Sequence, residues 1–447
     1  MASAVERLTS LIDAKDRFDI PYAELLPLQI EAVNERFQDR LGKIRLLRQR
    51  SEAEKVSAIR GVEDLVPLMF AHTAYKSYPD SWFNQGKWDR MGLWLDTVSS
   101  HRVNGIDSAA VTDVDDWIER LAAAGHYISC SSGTTGKCSM VPASAEDRRY
   151  SRENYLANFQ WSTGLPATRD YIYVAVSPVA QSFRAEDIQD ATQQAFASEV
   201  QPFPGERITV GTISRMAALR RGIADGSALP AELAAYKELV PQREKAMEDA
   251  LMVIAERLIE NRARKHIFLG IYPSMWKIAE IIRTRGYGPK DFHPDNALAM
   301  HGGLKGANLP GDYQQMVLGT FNVRPERSFG LYGMQEINTM MPQCSAGRYH
   351  VSPWLIPLVL DQPGEKLIPH SDAGGEIEGR SAWFDLSLDG RWGGIIAGDN
   401  IRVDYGKCPC GHQGPTVADD VVRYADMPGG DKITCSASID AYVRGVA

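Results

Sequence analysis

The chain has 447 residues, a formal net charge of −8, 44% hydrophobic and 24% charged residues, and no apolar run long enough to span a bilayer. This is the composition of a globular protein of roughly two to three domains with ample core. With no long basic cluster, it argues against nucleic acid as the main partner. The N-terminus Met1-Ala2-Ser3-Ala4-Val5-Glu6-Arg7 lacks the basic-then-apolar order of a secretory signal, so a cytoplasmic location is the expectation.

Residues 1–60 read as helical: Leu28, Ile30, Val33, Phe37, Leu41, Ile44 and Leu47 recur at near-helical spacing through 25–50. Residues 62–99, rich in aromatics (Phe70, Tyr75, Tyr78, Trp82, Phe83, Trp88, Trp94), read as helices and loops packed on a larger body. From Ile128 the pattern becomes α/β. A buried strand is expected at 171–176, a long helix at about 231–264, a strand at 266–271 and a helix at 273–283. A strand at 297–300 then runs into Gly302-Gly303, followed by a helix near 312–318 and a strand at 328–333. Strands that alternate with helices, several ending in glycine, predict a parallel sheet with ligands at its carboxyl edge. Beyond Ser345 the spacing shortens and Gly, Pro and Asp dominate, as in a small antiparallel β-region.

The segment Ser131-Ser132-Gly133-Thr134-Thr135-Gly136-Lys137 follows the run 126–130. Its glycines permit close backbone approach, its hydroxyls and freed N–H groups can donate to phosphate oxygens, and Lys137 adds a point charge. It is not a Walker A loop, because Ser131 stands where that pattern needs glycine and Cys138 follows the lysine. The alternative is a surface turn. Tyr332-Gly333-Met334-Gln335-Glu336 ends a predicted strand, and its carboxylate suits Mg²⁺, which takes one or two protein oxygens and completes its shell with phosphate and water. A solvated strand-end Glu336 is the plainer reading. Asp399, at a glycine turn, could accept from a ribose diol or form a local Asx-turn. Among six cysteines, Cys408-Pro409-Cys410-Gly411-His412 places three potential metal ligands in five residues, with Cys344 and His350 upstream. Such a C-x-C turn presents two thiolates to a tetrahedral zinc or is simply a reduced cysteine pair.

The order of these motifs, together with Gly302-Gly303-Leu304-Lys305-Gly306, resembles the adenylate-forming superfamily of acyl-CoA synthetases, adenylation domains and luciferases. Within it the chain looks most similar to phenylacetate–CoA ligase-like enzymes and luminescence acyl-protein synthetases. The finer likeness rests on Gly61-Val62-Glu63-Asp64-Leu65, Arg348-Tyr349-His350-Val351-Ser352-Pro353-Trp354 and Cys408-Pro409-Cys410-Gly411. The resemblance covers roughly residues 20–435. It implies an α/β adenylate-forming core of parallel sheets with flanking helices plus a small β-region. The corresponding division is a helical segment at 1–60, an adenylation core at 61–344, a β-region at 345–425 and a hinge and C-terminal stub at 426–447. By the same likeness the Ser131–Gly136 loop, with Lys137, holds the ATP phosphates. Gly302, Gly303, Tyr332, Gly333, Met334 and Gln335 line the nucleotide site, Glu336 binds Mg²⁺, and Asp399 takes the ribose hydroxyls. The long helix, with 266–275 and 177–184, would wall the carboxylate pocket. Ligase relatives also imply structural zinc at Cys344, His350, Cys408 and Cys410, with His412 as the rival fourth ligand.

The chain departs from the pattern in three places. Cys138-Ser139 replaces the usual Pro-Lys after the loop, and Gln335 replaces the threonine before the glutamate. The sequence also ends at Ala447, which predicts that the mobile C-terminal domain of full-length synthetases is absent or reduced, with Lys432 a poor substitute for its lysine. The implied activity is ATP-dependent activation of a carboxylic acid, with transfer to CoA or a carrier-protein thiol. Self-acylation on Cys435 and a non-catalytic nucleotide-binding role are the alternatives.

Overall fold

The structure is a computed structural model that describes residues 2–103, 105–130, 137–178, 182–304, 307–370, 375–431 and 433. It divides into two compact units. The first comprises 1–131, 138–157 and 332–447; the second comprises 132–137 and 158–331.

The second unit is built on a five-stranded, all-parallel sheet in the order Ala197–Gln201, Tyr171–Ala175, His266–Gly270, Ala297–Met300, Ser328–Phe329. Four apolar residues in a row, as in Ala297-Leu298-Ala299-Met300, are all buried, because helices cover both faces of a parallel sheet and leave no polar side to alternate with. Helices Pro230–Glu260 and Tyr272–Thr284 supply Leu251, Ile254, Leu258, Met275, Ile278 and Ile282 to one core with Ile172, Val174 and Phe268 of the strands. The expected strand at 328–333 is interrupted at Gly330: Ser328–Phe329 completes the parallel sheet and Leu331–Tyr332 is a separate short strand. At the carboxyl ends of the central strands the neighbouring side chains pack close to Gly270. A Cβ on Gly270 would lie 2.6 Å from Val176 Cγ2 and 2.8 Å from Ser177 Oγ, so only glycine fits there. Gly302 and Gly303, just past the Ala297–Met300 strand, both adopt left-handed φ, at 77° and 59°.

The first unit carries a seven-stranded sheet whose main path runs Tyr349–His350, Thr416–Val417, Gly394–Asp404, Glu376–Asp385, Leu355–Leu360, all antiparallel. Two short strands join Gly394–Asp404: Phe70–Ala71 in parallel and Val422–Arg423 in antiparallel register. The antiparallel region expected beyond Ser345 is therefore part of a larger sheet that recruits Phe70–Ala71 from early in the chain. A second ribbon pairs Tyr127–Cys130 with Met140–Ala143 in antiparallel register. The helical reading of 25–50 resolves into two helices, Tyr22–Leu41 and Arg45–Glu54, because Gly42 ends the first and Ile44 takes an extended conformation before the second. Among the described residues no helix is long and apolar enough to cross a membrane.

Candidate functional site

Residues Ser131, Ser132, Gly133, Thr134, Thr135 and Gly136 lie outside the described residues, as do Lys305, Gly306, Lys432 and Cys435. Lys137 is described and belongs, with Gly302 and Gly303, to the second unit. Tyr332, Gly333, Met334, Gln335, Glu336 and Asp399 belong to the first.

Within the first unit the Tyr332 hydroxyl donates to Asp399 Oδ2 at 2.8 Å, although the two residues are 67 positions apart. Asp399 sits in the Gly394–Asp404 strand opposite Arg423, whose Nε lies 4.0 Å from the other carboxylate oxygen. Burial pushes the Asp399 carboxyl above its ordinary range, while the Tyr332 donor and Arg423 pull the other way. Burial and the adjacent carboxylate push the Tyr332 phenol far up, so it remains a donor. The ring of Tyr332 stands edge-on to Trp383, with centroids 6.1 Å apart.

Glu336 lies in the loop that follows Tyr332. Its Oε1 accepts from Ser139 Oγ at 3.3 Å, and no ion pair engages it among the described residues. A half-buried carboxylate with one weak hydrogen bond retains lone pairs for a hard cation, so Glu336 fits Mg²⁺. Its backbone is held more firmly than its side chain. The Arg391 guanidinium donates to the Glu336 and Gln335 carbonyls, and Asp385 Oδ2 accepts from the Asn338 and Thr339 amides at 2.9 and 2.8 Å. Buried Asp147 accepts from Asn338 Nδ2, Ser144 N, Asp389 N and Gly390 N. His72, placed beside Ala397 and Gly398 by the Phe70–Ala71 strand, lies 3.5 Å from Asp431. Its imidazole is held below its ordinary pKa chiefly by burial, against the Asp431 and Glu336 charges that raise it. Two buried atoms here, His72 Nδ1 and Gln335 Oε1, have no hydrogen-bond partner among the described residues.

Sequence reasoning did not single out Arg391, Asp147, Asp385 or His72. For Asp147 a signal existed: Ser144-Ala145-Glu146-Asp147 is a capping pattern, and Ser144 and Asp147 do exchange backbone-to-side-chain hydrogen bonds at the start of helix Ala145–Thr163. For the others, nothing local marks the side chain as converging on this loop.

The candidate metal site is built from two matching turns. In Cys344-Ser345-Ala346-Gly347 and Cys408-Pro409-Cys410-Gly411 the glycine N–H donates to the cysteine carbonyl, at 2.9 Å in each, and Gly347 and Gly411 take φ of 77° and 102°. His350 enters from the Tyr349–His350 strand. The ligand atoms of Cys344, His350, Cys408 and Cys410 all lie within 4.8 Å of one another. Cys344 Sγ and Cys408 Sγ are 3.8 Å apart, and Cys410 Sγ is 3.3 Å from His350 Nε2. A Zn–S bond of about 2.3 Å requires a tetrahedral S···S edge of about 3.8 Å, so the set fits zinc. Burial lowers the His350 pKa to about 4, leaving the neutral imidazole that metals bind, and pushes the Cys408 thiol up to about 12, a cost that a cation would remove. His412 is outside the cluster: its Nδ1 meets Asp19 Oδ1 at 2.8 Å, and its ring stands edge-on to His350.

No family model matches the chain, and no curated protein does. Solved structures do. 2-Hydroxyisobutyryl-CoA ligase, in its postadenylation state with R3-HIB-AMP, superposes on 92% of this chain and 71% of its own with a TM-score of 0.55 at 12% identity. The same ligase in an open conformation with 2-HIB-AMP and CoA covers 93% of this chain and 74% of its own, with a TM-score of 0.53 at 13% identity. In its thioesterification state it covers 93% and 72%, with a TM-score of 0.53 at 14% identity. The chain therefore has the mixed α/β fold of an adenylate-forming CoA ligase.

Proposed function

We propose that this chain activates a carboxylic acid, aryl or acyl, as an acyl-adenylate and passes the acyl group to the thiol of CoA or of a carrier protein. The observation that carries this reading is the Tyr332–Asp399 hydrogen bond. It joins two sequence motifs of nucleotide binding in a chain whose fold matches a ligase solved with an adenylate bound. A substrate carboxylate oxygen attacks the α-phosphorus of ATP, the α–β phosphoanhydride bond breaks, and pyrophosphate leaves with the electron pair. Asp399, kept in place by Tyr332, accepts from the ribose hydroxyls. The hydroxyls of Ser131, Ser132, Thr134 and Thr135, with Lys137, supply donors to the phosphates. Glu336 would hold Mg²⁺, whose charge offsets the negative charge that collects on the departing pyrophosphate. Cys344, His350, Cys408 and Cys410 would hold a structural zinc, closed to substrate, that ties their two turns to the Tyr349–His350 strand.

Carboxylate-dependent exchange of labelled pyrophosphate into ATP, over a panel of aryl, fatty and short hydroxy acids, tests the activation step. Exchange that requires both an acid and Mg²⁺ is expected. Absence of exchange across the panel, from folded protein that binds ATP, overturns the proposal. Adding CoA to the competent acid then reads the thioester step.

A further inference from the structure

We propose that Arg391 is a positioning residue that sets the orientation of Glu336 toward its metal, an inference that rests on the Mg²⁺ role given to Glu336 above. Arg391 is 2% exposed, yet among the described residues its nearest carboxylate partner, Asp147, is 3.9 Å away, beyond hydrogen-bond distance. Its donors are spent on carbonyls instead. Nη1 donates to Pro142 O at 2.7 Å, Nε to Glu336 O at 3.2 Å and Nη2 to Gln335 O at 3.4 Å. One rigid, planar cation therefore grips two successive peptide groups of the loop and one residue of the Met140–Ala143 strand. That strand begins directly after Ser139, whose hydroxyl meets the Glu336 carboxylate.

The geometry has a specific consequence. The peptide plane between Gln335 and Glu336 carries one of the gripped carbonyls and the next plane carries the other, so the Glu336 Cα–Cβ direction is set by Arg391 rather than by its own side-chain contacts. The far end of the loop is gripped in the complementary sense, its amides on Asp385 and the Asn338 side chain on Asp147. A loop fixed at its carbonyls by a cation and at its amides by an anion presents Glu336 at one place. A lysine keeps the charge but cannot fork to three carbonyls in a plane.

The test is metal binding rather than turnover. Mn²⁺ is titrated by electron paramagnetic resonance against protein with ATP and no acid, for wild type, Arg391→Lys and Glu336→Gln. ATP binding is measured separately in chelator, and folding by circular dichroism. Arg391→Lys should raise the Mn²⁺ half-saturation by about tenfold or more, the usual effect of removing a group that orients a metal ligand, with metal-free ATP binding unchanged. A folded Arg391→Lys protein with wild-type Mn²⁺ half-saturation overturns the positioning role. If Arg391→Lys does not fold, Arg391→Gln, which keeps a planar donor, carries the same test. Glu336→Gln separates the two levels. If it leaves Mn²⁺ binding unchanged, the metal assignment itself fails; if it weakens Mn²⁺ binding while Arg391→Lys does not, only the positioning role fails.

Discussion

Asp399 is a carboxylate in a setting that disfavours its charge, and Tyr332, with Arg423 and His72 beside it, partly compensates. Tyr332→Phe removes the 2.8 Å donor and leaves the ring. Because Asp399 is then less well placed and less readily ionised, ATP binding should weaken, by at most the roughly 1.5–3 kcal/mol of a hydrogen bond to a charged group. The pH dependence has a definite sign. The donor stabilises the ionised carboxylate, so removing it raises the Asp399 pKa further and the affinity loss should be greater at low pH than at high pH. Equal loss at both ends of a titration calorimetry series would show that Asp399 does not meet the nucleotide as an anion. Tyr332 was legible as a candidate from its strand-end setting beside Gly333, and Asp399 from Gly398, although the turn expected at Asp399 is the interior of the Gly394–Asp404 strand. Their contact was not, because a hydrogen bond across 67 positions leaves no local pattern. Arg391 was less legible still: an arginine between glycine and tryptophan reads as an exposed turn, and only tertiary packing buries it.

At the scale of elements, two short turns and one tight crossing show how glycine and cysteine placement builds the first unit. Each cysteine turn closes on a left-handed glycine, and the His350 strand would supply the fourth ligand to a metal held there. Elemental analysis of protein purified without chelator should find about one zinc per chain, as a closed four-ligand site requires. His350→Ala should lose the metal and His412→Ala should keep it; loss of zinc in His412→Ala alone would reverse the choice between them. The crossing is at Gly390, where a Cβ would sit 2.6 Å from Asp147 Oδ2 and 2.8 Å from both Ala143 Cα and Ser144 N. Gly390→Ala must push apart backbone that is already hydrogen-bonded, so it should destabilise the unit by about 1–3 kcal/mol in chemical denaturation. An unchanged midpoint would mean that the Asp147 network yields easily. The buried strands of the parallel sheet were readable because an unbroken apolar run between helical segments has few other uses. The breaks at Gly42 and Gly330 were not, since one glycine inside a strong pattern is often tolerated. The two-residue strand Phe70–Ala71 is too short to carry any period, and only its partner Gly394–Asp404 defines it.

For the molecule as a whole, the first unit draws on three separate stretches of chain, so its sheet depends on pairings that local propensity does not encode. The second unit is nearly continuous, and its order of strands and helices follows the sequence closely. His266 opens the strand His266–Gly270 at the centre of the parallel sheet, is 0% exposed and is stacked on Phe268. Burial, with Arg264 nearby, lowers its pKa to about 4. In the unfolded chain an imidazole titrates near ~6.5. Between these values the unfolded state binds a proton that the folded state refuses, so stability rises with pH across that window and is lost as pH falls from about 6.5 toward 4. The loss from this one residue is on the order of 3 kcal/mol at the acid end. His266→Phe removes the proton site while keeping an aromatic ring against Phe268. Whatever it does to the absolute stability, it should flatten the dependence of unfolding free energy on pH by about one bound proton within the window. Denaturant titrations at half-unit steps read that slope directly. The same slope in wild type and variant would mean that His266 is protonated in the folded protein and that the acid sensitivity of the sheet lies elsewhere.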